Sequence, residues 1–274
     1  MVVLSRGGRD AASNESAKAA DIDKEESDAL FTSSLARGLM VLEAFAQQPG
    51  PMSLSEIAGI AGLNKSAVQR LAHTLLKLGY LERHKNGLTP GRRVLDRAYD
   101  YLKGSPLIRR SVPVLANLRT SFNERVDLSL FDDLTIMYVS RMHGKPEMSH
   151  AHLIGRRLPT YCTAGGRAIM SHLPESEVLD ILERSERRKL TSRTATEIAD
   201  ILSLIERARE DGFAMSVEEL LIGDITVAAA VLDAKGRPVG AVHLGGGTGD
   251  WSPEEFARRA GPLALTAARE LSGD

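Results

Sequence analysis

The sequence predicts an α+β chain in two parts: an N-terminal winged helix-turn-helix and a larger C-terminal antiparallel sheet carrying helices. Three observations point there. Residues 54–71, LSEIAGIAGLNKSAVQRL, contain two short amphipathic segments that meet at Gly62. Immediately beyond them, two short extended runs flank Asn86-Gly87. From about residue 106 the pattern changes to strand-length apolar runs interspersed with helical periods.

Residues 1–30 are Ala, Ser, Gly and charge, with almost no large apolar side chain after Leu4. They bury too little to offset the entropy of ordering, so a disordered tail is expected, and they contain no signal-peptide apolar core. A helix begins at Ser33, where Leu35, Leu39, Leu42 and Phe45 recur at helical spacing, and Pro49-Gly50-Pro51 ends it. Ser53 or Ser55 starts the next. Its apolar stripe is Ile57, Ala58 and Ala61; Val68, Leu71 and Leu75 form the stripe of the helix that follows. Ala58 is small where two helices cross, Gly62 takes positive φ without a Cβ clash, Leu63 fills the corner, and Asn64 is a good N-cap. The second helix runs from Lys65 to about Leu78, with Gly79 in the C′ position. Such a corner also occurs in all-α domains. The hairpin expected from Tyr80–His84 and Leu88–Pro90 makes it a winged helix covering 31–91.

A further helix starts near Arg92 and passes through Val94, Leu95, Ala98, Tyr99 and Leu102 to the break at Gly104-Ser105-Pro106. Residues 92–105 read as a linker helix, the alternative being a helix packed entirely on the winged helix. Within 106–274, residues 107–122 are helical in pattern, with a kink or fresh start expected at Pro113. Residues 126–130 and 135–139 are strands joined at Asp132-Asp133, and His150 to Ile154 is expected to be another. A Gly-rich turn, Thr163-Ala164-Gly165-Gly166, should lead into a helix from Arg167 to His172. Thr194-Ala195-Thr196-Glu197 has capping-box spacing for a helix ending at Asp211-Gly212. A strand pair, 225–232 and 239–244, precedes a last helix capped by Ser252-Pro253.

With 274 residues and 43% hydrophobic content the chain can bury a sizeable core, and its formal net charge is only −1. Charge is unevenly spread. Between Ser33 and Tyr99 stand nine basic residues and four acidic ones, an excess of five, the footprint of a nucleic-acid-facing part in a near-neutral protein. Cys162 is the single cysteine, which excludes an intrachain disulfide and a cysteine-based zinc site. No apolar run approaches the roughly 18 residues of a membrane span. A reducing cytoplasm is the expected location.

With Val68, Leu71 and Leu75 inward, the second helix presents Lys65, Ser66, Gln69, Arg70 and His73 outward. Gln69 can pair bidentately with adenine and Arg70 with guanine, unless both touch only backbone. Lys65 suits a phosphate, as do Arg83, Lys85 and Arg92 on or beside the wing. In the C-terminal part, backbone N–H groups of Ala164, Gly165 and Gly166 at a helix start suit a carboxylate. His243 points opposite to its strand neighbours, as either a ligand to a carboxylate or phenolic oxygen or a hydrogen-bonded core histidine. Arg157 is a candidate carboxylate partner, its plain alternative a solvated arginine. Cys162 has no partner base in view and is expected in a pocket wall or core. His143, His150 and His152 make a weak metal cluster, and no metal or other cofactor is expected. The run Gly245-Gly246-Gly247-Thr248-Gly249 fits no nucleotide motif and reads as a mobile surface turn.

Taken together, LARGLMVLEAF (35–45), LSEIAGIAGLNKSAVQRLAHTLLKLGYLE (54–82), LTPGRRVLDRAYDYL (88–102), GRRLPTYCTAGGRAIMSHLP (155–174) and EELLIGDITVAAAV (218–231) resemble the IclR-type transcription regulators. The resemblance covers about 31–272 in the family's order. It implies a winged helix, a linker helix and a GAF-like effector domain, assembled as a homodimer or tetramer. FTSSLARGL (31–39) and RLPTYCTAGGRA (157–168) are similar to the branch regulating aromatic-acid catabolism through the β-ketoadipate pathway. The loop at Ala164–Gly166 lines the family's effector site, and the resemblance carries Ser216, Thr226, His243 and Gly245 into the same cavity, with Glu218 and Glu219 beside it.

The expected function is a regulator that binds a double-stranded DNA operator under control of a small carboxylate, an aromatic acid or pathway intermediate. Two rivals stand against it. A GAF-like ligand module would bind without operator control. A small hydrolase or thiol enzyme would need a Gly-x-Ser-x-Gly elbow or a visible cysteine partner, and neither is present.

Overall fold

The computed structural model describes residues 30–143 and 154–273. They fall into two compact units divided between Tyr101 and Leu102, and no helix among the described residues is long and apolar enough to cross a membrane.

The first unit contains α1 (Ser33–Glu43) with one 3-10 turn after it, α2 (Leu54–Ile60), α3 (Lys65–Lys77) and the hairpin β1 (Leu81–His84) and β2 (Gly87–Pro90). Helix α4 (Arg93–Gly104) crosses the division. Local chemistry sets each boundary. Ser53 closes a full capping box, its Oγ accepting from the Glu56 amide at 3.3 Å and the Glu56 carboxylate accepting from its own amide at 2.8 Å. Gly62 turns the corner at φ +63, and the Asn64 side chain accepts from the Ala67 amide at 2.8 Å. At the far end of α3, Gly79 at φ +77 donates to the Leu76 carbonyl and Tyr80 to that of Leu75, a Schellman motif. Val41, Met52, Ile57, Val68, Leu81 and Leu88 are buried together as the core.

The wing differs from its expected turn. His84 pairs with Gly87, so Lys85 and Asn86 form the tip and Gly87 already belongs to β2. Met52 makes an antiparallel bridge to Leu88, and a Cβ on Gly87 (φ +145) would lie 2.4 Å from the Met52 carbonyl oxygen. The glycine serves backbone approach as well as conformation.

The second unit is a six-stranded antiparallel sheet in the order β5-β4-β3-β8-β7-β6. Its strands are β3 (Arg125–Asp132), β4 (Thr135–Met142), β5 (Arg157–Pro159), β6 (Ala214–Val217), β7 (Asp224–Leu232) and β8 (Pro238–Gly247). Helices α5 (Pro106–Phe122) and α9 (Pro253–Leu271) pack one face, where Leu115, Val126, Leu128, Val242, Leu244 and Phe256 form an apolar core. The opposite face takes α6 (Ala164–Met170) and α8 (Ile198–Asp211); α7 (Glu175–Arg184) packs beside α6 through Met170, Val178 and Leu182.

Several expectations are corrected. Helix α5 runs unbroken through Pro113, because Pro113 and Arg109, whose carbonyl loses its donor, are both exposed to water. Residues 150–153 of the expected His150–Ile154 strand lie outside the described residues; Ile154 is in a turn, and the strand of this region is β5. Ala164, Gly165 and Gly166 are the first turn of α6 rather than a loop before it, Thr163 being the N-cap. Helix α8 starts at Ile198 without a capping box, since the Thr194 hydroxyl donates instead to the Glu219 carbonyl at 2.7 Å. Gly245, Gly246 and Gly247 end strand β8, the first two buried, and are no surface turn. A Cβ on Gly246 would meet the ring of Phe256 at 2.8 Å, and one on Gly245 the guanidinium of Arg125 at 2.1 Å.

Because the wing depends on that contact with Met52, Gly87→Ala should lower stability by about 1–3 kcal/mol, read as a fall in urea midpoint. An unchanged midpoint would contradict the packing described.

Candidate nucleic-acid interface and ligand site

Helix α3 buries Val68 and Ala72 and turns its polar flank to water. Lys65, Ser66, Gln69, Arg70 and His73 are all exposed there, as are Arg83, Lys85 and Arg92. Ser66, Gln69, Arg70 and His73 line one groove of about 890 Å³, closed on its other side by Arg83 from β1. Three predicted residues stand outside that lining. Lys65 begins α3, Lys85 sits at the wing tip, and Arg92 lies 3.9 Å from the Glu82 carboxylate while 94% exposed, a pair of little energetic weight. The Ser66 hydroxyl donates to Asn64 Oδ1 at 2.8 Å, which leaves it an acceptor for a partner.

In the second unit the strand register decides which side chains meet. Ser216 lies opposite Thr226, Thr226 opposite Gly245, and Gly245 opposite Arg125. On the next rung Ala228 lies opposite His243, His243 opposite Asp127, and Asp127 opposite Arg141. Residues opposed in this way share a face, so four predicted residues, Ser216, Thr226, His243 and Gly245, fall on the face that carries α6. Gly165 meets them there, since a Cβ on it would lie 2.2 Å from the His243 ring; one on Gly166 would lie 2.0 Å from the Thr160 carbonyl oxygen. Ala164 is buried in the same layer. The Gly166 amide is already taken by the Thr163 hydroxyl at 3.0 Å, so this helix start offers fewer free donors than a bare turn would.

Arg157 is not brought to this group. It pairs opposite Met137 on the other face of the sheet, is exposed, and bonds to Asp132 and Thr135. An edge strand with an aspartate beside it holds the arginine there. His150 and His152 lie outside the described residues. Cys162 is buried and its thiol is pushed up to about 12 by burial, so it is chemically quiet. Glu219 is held by the fully buried Arg167 through two contacts, one of 2.7 Å, and also accepts from the Ala195 amide. Glu218 accepts from the Gly223 amide at 2.9 Å. Both glutamates brace loops.

Residues not singled out from the sequence join this cluster. Asp127 is fully buried, and Arg141 grips it in a fork, Nε to Oδ1 and Nη2 to Oδ2 at 3.0 Å each. Arg125 Nε lies 3.1 Å from the same carboxylate, out of line for a hydrogen bond. Its Nη1 and Nη2 donate to Asp224 at 3.0 Å and Thr226 at 3.1 Å. Burial pushes the Asp127 carboxyl above its usual range and the two guanidiniums pull it only part of the way back; with both oxygens receiving N–H groups, the ionised form is the one these bonds fit. Burial works against the Arg125 charge as well, and Asp224 and Asp127 more than offset it, holding the group above its usual range. Tyr138 stacks under the Arg141 guanidinium at 3.9 Å and lies 5.2 Å from the His243 ring. His243 Nε2 is 2.8 Å from Ser129 Oγ.

A β-bulge brings Tyr138 and Arg141 onto one face. The register of β3 and β4 shifts at Leu128/Ser129, so Tyr138 faces Ser129 while Arg141 faces Asp127. A hollow of about 510 Å³ bounded by Arg193, Glu218, Thr248 and Trp251 contains none of these residues.

A winged helix with an exposed polar flank, followed by an antiparallel sheet domain, is the architecture of a DNA-binding transcription regulator. The IclR helix-turn-helix domain matches residues 34–85, and the bacterial transcriptional regulator IclR C-terminal domain matches residues 99–273. The chain belongs to the IclR family of transcriptional regulators. It is 28% identical over 242 residues to the Pca regulon regulatory protein of Pseudomonas putida, covering 88% of this chain and 83% of that one. With the p-hydroxybenzoate hydroxylase transcriptional activator of Acinetobacter baylyi it shares 26% over 247 residues, 88% and 91% of the two chains. The crystal structure of a putative transcriptional regulator from Rhodococcus sp. RHA1 superposes with a TM-score of 0.77 at 30% identity, covering 88% and 97%.

Burial, then Arg141 and Arg125, pull the His243 imidazole down to about 3 from 6.5. The unfolded chain therefore takes up a proton first as pH falls. The stability this neutral ring contributes is complete above about 6.5 and is lost progressively toward about 3. His243→Gln should show a shallower loss of urea stability than the native chain between about pH 6.5 and 4.5. Parallel pH profiles would contradict a buried neutral histidine.

Proposed function

We propose that this transcription regulator reads its operator with the polar flank of α3 and changes its operator affinity when the polar sheet face of the second unit takes a small organic acid. The observation that carries the DNA half is the groove itself. Four side chains of one helix and an arginine of the wing hairpin meet there, exposed, with hydrogen-bonding groups that suit base edges and phosphates. Gln69 and Arg70 stand mid-helix as base readers; Lys65, Lys85 and Arg92 flank them as phosphate contacts.

The ligand half rests on the cluster at Arg125, Arg141, Thr226 and His243, and on relatives named for aromatic-acid pathways. An aromatic carboxylate is the class proposed. The chain acts in the cytoplasm as a homodimer on a palindromic site. Helix α4 supports this, since it buries none of its residues within the chain and leaves Leu95, Tyr99 and Tyr101 exposed. Ligand control then requires that the acid bind two arrangements of the assembly unequally.

Two measurements test this reading. Arg70→Ala should weaken operator binding by about 1–3 kcal/mol in fluorescence anisotropy and relax one half-site position. Equal loss on operator and random DNA would remove the base-reading role. Titrating the operator complex with benzoate and 4-hydroxybenzoate should shift its midpoint, and a midpoint indifferent to every small aromatic acid would remove the ligand half.

A further inference from the structure

Arg141 is buried on the sheet face and held in a fork by Asp127, yet one donor of its guanidinium, Nη1, has no hydrogen-bond partner. On the same rung of the sheet, His243 Nδ1 is likewise buried and unpaired. We propose that Arg141 is the carboxylate anchor of this domain, with Nη1 donating to the acid and His243 Nδ1 meeting a second polar group of the ligand. The proposal rests on the acid-responsive reading above and assigns it to one atom.

Three physical arguments support the assignment. An unmade hydrogen bond at a buried charged group costs more than the net gain from an ordinary made one; Arg125 Nε at least faces the Asp127 carboxylate at 3.1 Å, whereas Arg141 Nη1 is left as a donor for a ligand. A structural role also has a cheaper solution close by. The opposite face of the same sheet is packed with apolar side chains, Val126, Leu128, Val242 and Leu244 among them, and apolar residues in place of a buried ion network are often as stable. Finally, the bulge in β4 is what turns Arg141 to the face of Tyr138 and His243, and bulges commonly re-aim a side chain beside a functional site.

The parts then divide the work. Asp127 and Arg125 are positioning residues. Asp127 fixes the plane of the Arg141 fork; Arg125, tied to Asp224 and Thr226 and lodged where Gly245 has no side chain, adds positive charge beside Asp127. Tyr138 supplies a flat wall against the guanidinium. His243, neutral at physiological pH, contributes a hydrogen-bonding atom without a competing charge. A ligand with a planar carboxylate at one end and a polar substituent at the other matches this set.

Isothermal titration of the full-length chain with 4-hydroxybenzoate and with its uncharged methyl ester tests the assignment. The native chain should bind the acid and discriminate against the ester by about tenfold or more, as expected for a charge-assisted contact. Arg141→Gln should abolish that discrimination. Arg141→Lys keeps a charge beside Asp127 to protect folding, checked by thermal melting, and should also lose the acid because an ammonium has no second arm. Arg157→Gln, on the other face, should bind as the native chain does. Native-like acid binding by a folded Arg141 variant, or equal binding of acid and ester by the native chain, overturns the anchor and leaves the regulator reading standing. Failure of the native chain to bind benzoate, 4-hydroxybenzoate or 3,4-dihydroxybenzoate, with operator binding intact, overturns the acid-responsive reading and the anchor together.

Discussion

A single buried carboxylate organises the second unit. Asp127 lies at the centre of the sheet with no exposure to solvent, and an ion so placed is tolerable only if opposite charge and hydrogen bonds replace the water it lost. Arg141 and Arg125 supply both, and their demands propagate outward. Arg125 needs Asp224 and Thr226 from β7 and a missing side chain at Gly245 in β8. Arg141 needs the bulge that turns it inward and the Tyr138 ring beneath it. Removing the carboxylate would leave two guanidiniums buried in one place, so the strands that carry these groups are constrained together.

The first unit obeys a different constraint, backbone satisfaction at short helix ends. Helix α2 has seven residues and little cooperative stability of its own. The Ser53–Glu56 box, the Asn64 cap and the Gly79 Schellman turn fix where α2 and α3 begin and end. Within those bounds α3 turns Val68 and Ala72 to the core and Gln69, Arg70 and His73 to solvent. That flank is exposed because the apolar stripe through Val68 and Ala72 takes the core side of the helix.

Legibility followed the range of the interaction. The Asn64 cap, the corner at Gly62 and the outward flank of α3 are set within a few residues and could be read from spacing; the Thr194–Glu197 box could not, because Thr194 bonds instead to Glu219, 25 residues on. The antiparallel hairpins were also legible, being joined by short turns. What could not be read depends on partners far away in sequence. A bulge cannot be seen in alternation alone: with an unbroken period of two, Arg141 would sit on the apolar face with Val139. The partners of Asp127 include residues 14 positions away in Arg141 and two away in Arg125, but Arg125's own anchors are 99 and 101 residues distant. Gly245 and Gly246 looked like a loop because the side chains filling their space, Arg125 and Phe256, come from other elements. One signal was available and unused: Asp127 and Ser129 alternate with Val126, Leu128 and Leu130 in a strand flanked on both sides, which marks a polar stripe inside a sheet. Residue type alone cannot separate Arg157 from Arg141, because only strand register tells the two faces apart.

The central claim is that this polar face exists to hold an acid and that Arg141 takes its charge. A crystal structure of the full-length chain grown with 4-hydroxybenzoate tests it most directly. The account requires the ligand carboxylate within about 3 Å of Arg141 Nη1, with the Asp127 fork intact behind it. A carboxylate bound elsewhere in the domain, with Nη1 still unpaired or turned to a protein group, would contradict it.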